Sequence, residues 1–186
     1  MTTAAVILAA GGGSRFVGDT SKLLVSLRAR PLVVWAVDAA LGAGLDETVV
    51  VSGAVDLSAV LPDEVTVLDN EGWASGLASS LRVGLDWCER RGHAAAVIGL
   101  GDQPFVSADA WRAVAASTGA PITVATYSGR RRNPVRLARP VWSLVPVTGD
   151  QGAKAVMASR PELVREVACP GDPADVDTVE DLRQWS

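Results

Sequence analysis

The sequence is poor in several residue types that most often carry chemistry. Its 186 residues hold one histidine, His93, and two cysteines, Cys88 and Cys169. The cysteines lack metal-ligand or redox-motif spacing and read as small buried hydrophobes in a reducing compartment. His93 falls between a helix and the amino end of an apolar strand, away from any serine or cysteine that it could activate. That placement argues against Ser–His and Cys–His catalysis. Basic residues are outnumbered, 17 Lys and Arg against 21 Asp and Glu, and the net charge of −4 argues against a general nucleic-acid binder. Apolar runs such as Ala94–Ile98 fall far short of the ~20 residues a membrane span needs. Met1-Thr2-Thr3-Ala4 carries no basic region ahead of the first apolar stretch. No signal peptide is expected, and the protein is predicted to be cytoplasmic.

What the sequence does contain is an alternation of short apolar runs and amphipathic stretches. Hydrophobic residues make up 48% and charged residues 20%, and residues 1–186 suffice for one domain with a full core. Strands are predicted at Ala4–Ala9, Thr48–Ser52, Val65–Leu68, Ala94–Leu100, Ile122–Tyr127, Val135–Leu137 and Val164–Val167. Ala94–Leu100, the most apolar, is placed at the sheet centre. Helices are predicted from Pro31 to Gly42, across Leu77, Leu81, Leu85 and Cys88, and through Trp111 and Val114 behind an Ser107 cap. Two more are predicted from Gly152 to Ser159 and from Val179 onwards. Buried strands alternating with helices predict a three-layer α/β/α sandwich with a mostly parallel sheet. The basic run Gly129–Arg132 reads as a turn-rich insertion between strands.

The first strand runs into Leu8-Ala9-Ala10-Gly11-Gly12-Gly13-Ser14-Arg15-Phe16, and Lys22 follows. Ligands of open α/β sheets sit beyond the carboxyl ends of the strands, where this loop begins. Consecutive glycines let backbone N–H groups approach phosphate oxygens without a side chain intervening. Arg15 offers a planar fork and Lys22 a point charge to a triphosphate. A P-loop would need Gly-Lys-Ser/Thr, but Lys22 lies between Ser21 and Leu23. The dinucleotide fingerprint would need a glycine where Phe16 stands.

Gly101-Asp102-Gln103-Pro104 leaves the predicted central strand at the same sheet end. Asp102 there suits magnesium, which in phosphate chemistry takes one or two protein carboxylates. It equally suits a turn in which the carboxylate bonds its own backbone. Asp175 and Asp177 precede the last helix, where Thr178 could cap and Glu180 and Asp181 favour the helix dipole. Spacing alone does not bring Asp177 beside Asp102. The arginines at 130, 131, 132, 136 and 139 read either as an anion-binding surface or as a solvated face. Among six tryptophans, Trp35 and Trp111 have core spacing, and Trp73 alone sits in a predicted site loop.

These segments, together with Gly76-Leu77-Ala78-Ser79-Ser80, Gly149-Asp150-Gln151-Gly152-Ala153 and Asp175-Val176-Asp177-Thr178, resemble the MobA-like nucleotidyltransferases, and among them the molybdenum cofactor cytidylyltransferases. The resemblance implies a Rossmann-like fold of the nucleotide-diphospho-sugar transferase type. It implies a nucleotide site built from Leu8, Ala9, Ala10, Gly11, Gly12, Gly13, Ser14, Arg15, Lys22, Gly76, Ser79, Ser80 and Asp102. Arg15 and Lys22 would hold the triphosphate, and Asp102 and Asp177 would bind Mg²⁺. Ala10 is associated with CTP rather than GTP. The implied reaction passes CMP from CTP to the phosphate of a molybdopterin-type acceptor, with a molybdoenzyme or chaperone as partner. Another NTP, a phospho-sugar, phosphoalcohol or phospholactate acceptor, or a non-catalytic carrier module remain as alternatives. The chain departs from the family pattern at Arg132-Asn133-Pro134-Val135, where Gly-His-Pro-Val is common, and at Lys154, where arginine is frequent.

Overall fold

The computed structural model describes residues 1–12 and 21–185. In chain order its elements are β1 (Thr3–Leu8), a small hairpin of β2 (Ser26–Leu27) and β3 (Arg30–Pro31), α1 (Leu32–Gly42), β4 (Glu47–Ser52) and β5 (Thr66–Asp69). Then come α2 (Leu77–Arg90), β6 (Ala95–Leu100), α3 (Ala108–Ala116), β7 (Ile122–Tyr127), β8 (Arg130–Ala138), α4 (Ala153–Ser159), β9 (Val164–Ala168) and α5 (Val179–Trp185). Seven strands form one sheet in the order β5-β4-β1-β6-β8-β7-β9, so β6 is the middle strand as its composition predicts. Every pairing is parallel except those of β8, which runs against both β6 and β7. The architecture is the predicted Rossmann-like α/β/α sandwich.

Strand alternation divides the core into two layers. Ala5, Ile7, Val50 and Val97 pack with α1 and α3 on one face, while Ala4, Val6, Val49 and Ile98 pack with α2 and α4 on the other. A third, smaller cluster around Leu27, Leu32 and Val176 receives Phe105, Leu182 and Trp185, and it docks α5 onto the β2–β3 hairpin. The ring centroids of Phe105 and Trp185 lie 4.4 Å apart in a tilted arrangement, a close aromatic contact. Ser107 caps α3 as predicted, its hydroxyl accepting from the Ala110 N–H at 3.2 Å. The lone histidine is structural. Buried His93 shares a 2.8 Å hydrogen bond with Glu47, which also accepts from the Trp87 indole and the Thr66 hydroxyl.

The basic run is not an insertion. Tyr127 pairs with Arg130 across a two-residue turn in which Ser128 and Gly129 both have positive φ, 49° and 74°. That geometry matches the twist of a tight hairpin, so Arg130–Arg132 continue straight into β8. The ladder then breaks. Val124 pairs with Val135 and Ala125 with Arg132, which leaves Asn133 and Pro134 bulged out of register. Bulges re-aim side chains near sites.

Gly99 in β6 faces Trp111, which is 2% exposed. A Cβ at Gly99 would lie 2.4 Å from the Trp111 ring, and neither the central strand nor a buried indole can retreat. Gly99→Ala is expected to lower unfolding free energy by about 1–3 kcal/mol, as overpacking does, with the loss read as a lower midpoint in urea at unchanged m-value.

Candidate functional site

The carboxyl ends of β1 and β6 are neighbours, and the site begins there. Ala9 N–H donates to the Val51 carbonyl and Gly101 N–H to that of Leu8, which carries the β1 and β6 exits outward side by side. Ala10, Gly11 and Gly12 leave the first exit, and Asp102 leaves the second. Lys22 begins a short 3₁₀ turn, Lys22–Leu24, held down by buried Leu23. Leu23 packs where a side chain at Gly101 would stand. The turn delivers the Lys22 ammonium 2.8 Å from Asp102 Oδ2 and 2.6 Å from Asp177 Oδ1.

Three segments separated by 80 and 155 residues therefore meet at one nitrogen. Burial by itself would lower the Lys22 ammonium, but the facing carboxylates outweigh it and hold the group above its ordinary value. The other Asp102 oxygen, Oδ1, is buried and has no hydrogen-bond partner among the described residues. Leaving a buried carboxylate oxygen unpaired is costly unless something else engages it.

Asp177 reaches this point because its segment is tied down on both sides. On one side Val176 is fully buried and its N–H donates to the Asp102 carbonyl at 3.0 Å. On the other, Asp181 Oδ2 accepts from the N–H groups of Asp177 and Thr178, while the Thr178 hydroxyl accepts from the Asp181 N–H. That reciprocal pattern is a capping box. The Thr178 cap and the placement of Asp177 beside Lys22 thus coexist.

Two adjoining cavities share Leu8, Leu77 and Leu100. The first, about 370 Å³, is lined by Ala10, Gly11, Gly12, Lys22, Asp102 and Trp73, with Gly76, Ser80 and Asp150 nearby. The second, about 590 Å³, has an apolar floor of Leu81, Ile98, Val124, Val135 and Met157, and a polar rim including Arg131, Arg132 and Lys154. Both fall in the size range of small-molecule sites.

The start of α2 is braced between them. Gly76 has φ +107°, and a Cβ there would lie 2.7 Å from the Gly149 backbone, so only glycine fits this approach. Ala78 N–H donates to the Gly149 carbonyl at 2.8 Å, and Asp150 Oδ1 accepts weakly from Leu77 N–H. Ser80 lines the first cavity. The Ser79 hydroxyl instead is engaged by Asn70 and by the Gly72 and Gly76 carbonyls, a structural commitment. Gly13, Ser14 and Arg15 lie outside the described residues.

The arginines separate in the same way. Arg131 and Arg132 line the second cavity, Arg131 with its Nε donating to Glu166 at 2.7 Å. Arg130 stays at the hairpin tip and Arg139 pairs with Glu89 on the surface. Arg136 is buried on the opposite sheet face, which pushes its guanidinium down from its ordinary value.

A group the sequence reading missed is the amide of Gln103, 3% exposed. Its Nε2 donates to Asp175 Oδ1 at 2.6 Å and to the Pro173 carbonyl at 3.2 Å, and its Oε1 accepts from Asn133 Nδ2 at 3.0 Å. One side chain thereby ties the Asp102 loop to the bulge of β8 and to the Asp175–Asp177 segment. Its position between Asp102 and Pro104 was the available signal. Partial desolvation and the nearby Asp102 charge raise the Asp175 carboxyl above its ordinary value.

Gln103→Glu would replace the donor facing Asp175 with a second carboxylate. The variant is expected to lose about 2 kcal/mol at pH 7. Mutual repulsion raises a folded-state carboxyl above its unfolded value, so the native state holds the extra proton and gains stability as pH falls. Thermal melts of wild type and variant at pH 7 and pH 5 should show the gap narrowing at the lower pH.

Residues 5–165 match the family model for the MobA-like NTP transferase domain. The crystal structure of Rv0371c from Mycobacterium tuberculosis superposes with a TM-score of 0.83 at 31% identity, covering 98% of this chain and 96% of that one. The same protein in complex with manganese gives 0.80 at 29% identity, covering 100% and 98%. The bifunctional enzyme IspD/IspF of Caulobacter vibrioides is 40% identical over 113 residues, which are 58% of this chain and 29% of that protein. The bifunctional protein GlmU of Cutibacterium acnes is 32% identical over 112 residues, 57% of this chain and 26% of that protein. The match to these two curated relatives thus spans less than a third of their length. With its family model covering most of the sequence, the chain belongs to the MobA-like NTP transferase family.

Proposed function

We propose that the chain is a nucleotidyltransferase that passes CMP from CTP to the phosphate of a molybdopterin-type acceptor. The observation that carries this reading is the meeting of Lys22, Asp102 and Asp177 in a cavity walled by the glycine loop. An acceptor phosphate oxygen attacks the α-phosphorus, a new P–O bond forms, the bond to the β-phosphate oxygen breaks, and pyrophosphate leaves. The nucleophile is already anionic, so positioning and charge neutralisation carry the reaction and no strong base is required. Lys22 engages the phosphates, the Ala10–Gly12 backbone holds them close, and Ala10 favours cytosine by family resemblance.

The second cavity supports the acceptor assignment. A flat heterocycle can lay its ring face on the floor of Leu81, Ile98, Val124, Val135 and Met157 and turn its polar edge to Asn133 and Gln151 in the same lining. Arg132 and Lys154, neither with a carboxylate partner among the described residues, suit the acceptor phosphate.

The donor set fits a divalent cation such as Mg²⁺. Asp102 has an orphaned buried oxygen, and around Lys22 the carboxylates of Asp102, Asp175 and Asp177 outnumber the one ammonium. Among the described residues no group of three His, Cys, Asp or Glu side chains forms a metal cluster. Asp102 and Asp177 would therefore hold the cation with phosphate oxygens and water completing its shell, as is usual for magnesium. The relative Rv0371c has been crystallised with manganese. The cation, when bound, would neutralise charge developing on the transferred and leaving phosphates. Until then Lys22 spans both carboxylates and competes for them.

Two measurements test this reading. Pyrophosphate release should appear with CTP and a molybdopterin-type acceptor, and Asp102→Asn should lower it at least ~100-fold. No release with any NTP and acceptor pairing would sink the proposal. Manganese binding followed by electron paramagnetic resonance in the absence of nucleotide should be weak in the wild type. It should tighten about tenfold or more in Lys22→Met, because the competing ammonium is gone.

A further inference from the structure

Trp73 is a large apolar side chain left partly in solvent, 36% exposed, whereas Trp111 and Trp142 are 2% and 4% exposed. It sits in a short 3₁₀ turn, Trp73–Ser75, between β5 and α2, and it lines the cavity that also holds Lys22 and Asp102. The turn is built to hold the indole there. Buried Asn70 accepts from Gly72 N–H through Oδ1 at 3.0 Å and donates through Nδ2 to the Ser79 and Ser80 hydroxyls at 2.9 Å each. Trp73 N–H donates in turn to the Asn70 carbonyl.

Two glycines make room for the ring. A Cβ at Gly53 would stand 2.8 Å from Trp73 Cβ, and one at Gly12 would stand 3.1 Å from the outer edge of the indole. The six-membered ring therefore rests on the glycine loop itself. Trp35, Trp87 and Trp142 each donate their indole N–H within the fold. The Trp73 indole N–H donates to no described residue, and the ring belongs to none of the buried clusters.

We infer that Trp73 is the stacking platform for the nucleobase, which positions the nucleoside while Lys22 and the Asp102–Asp177 pair hold its phosphates. The inference rests on the nucleotide-binding reading above. Stacking uses a π-face that every base presents, so Trp73 sets how tightly and where the nucleoside lies, not which base is chosen. Hydrogen-bonding groups at the base edge must make that choice.

Titration calorimetry with CTP and with inorganic tripolyphosphate, each with Mg²⁺ and without acceptor, separates stacking from phosphate binding. Trp73→Ala should weaken CTP roughly 10- to 100-fold and leave tripolyphosphate within about twofold, while Trp73→Phe should stay near wild type for both. CTP should also quench wild-type tryptophan emission, and Trp73→Phe should abolish the quench even if Trp73→Ala proves unstable. Unchanged CTP affinity in Trp73→Ala, an equal loss for both ligands, or a quench that persists in Trp73→Phe would overturn the inference. A wild-type protein that binds no NTP would overturn the proposed function itself, a separate failure.

Discussion

The contact on which the site depends is the Lys22 ammonium held between Asp102 and Asp177. Without it, two carboxylates would face each other at partly buried positions, with Asp175 adding a third negative charge close by. Like charges that close disfavour ionisation or push the segments apart. The lysine thus has a structural task of its own. It lets the chain gather negative charge at the mouth of a strand pair before any ligand arrives.

That gathering is possible because three unrelated stretches are each fixed by something other than the site. Lys22 is set by Leu23, which fills the space beside Gly101. Asp102 is set by the exit of the middle strand. Asp177 is set by Val176, the α5 capping box and the small cluster that receives Phe105 and Trp185. Gln103 then fastens these stretches to the β8 bulge, so the Asp102 loop and the second cavity share one buried amide. A buried amide with its hydrogen-bonding capacity so largely met specifies geometry strongly, since any shift leaves polar groups unpaired.

The strand–helix order, the parallel majority and the central place of Ala95–Leu100 were legible because β1, β4 and β6 are largely contiguous apolar runs and α2 and α3 carry a period of 3.6. The glycine loop and Asp102 were legible because β1 and β6 end in residues that cannot continue a strand. The nearness of Asp177 to Asp102 was not legible. It arises from side chains such as Phe105 and Trp185, which carry no local pattern linking residue 177 to residue 102. The Arg130–Arg132 run misled because charge suggested a surface insertion, while the Ser128-Gly129 turn chemistry already specified a hairpin. Gln103 escaped notice because a glutamine after an aspartate looks polar and exposed; only the fold shows that it is enclosed.

The two cavities make chemical sense of the wall between them. Leu8, Leu77 and Leu100 border both, so the wall itself offers few groups to hydrogen-bond either substrate. Polar groups line the rest of each cavity, Lys22, Asp102 and Asp150 in the first and Arg132, Lys154 and Gln151 in the second. On the proposed reading the two phosphorylated substrates would take one cavity each with their reacting phosphates meeting at the shared border, where Lys22 and a bound cation would offset the carboxylates. Exclusion of water matters for a transfer between phosphates, because water is the competing nucleophile and strengthens no contact that the protein has placed. On that reading the apolar border would favour the acceptor phosphate over water at the α-phosphorus.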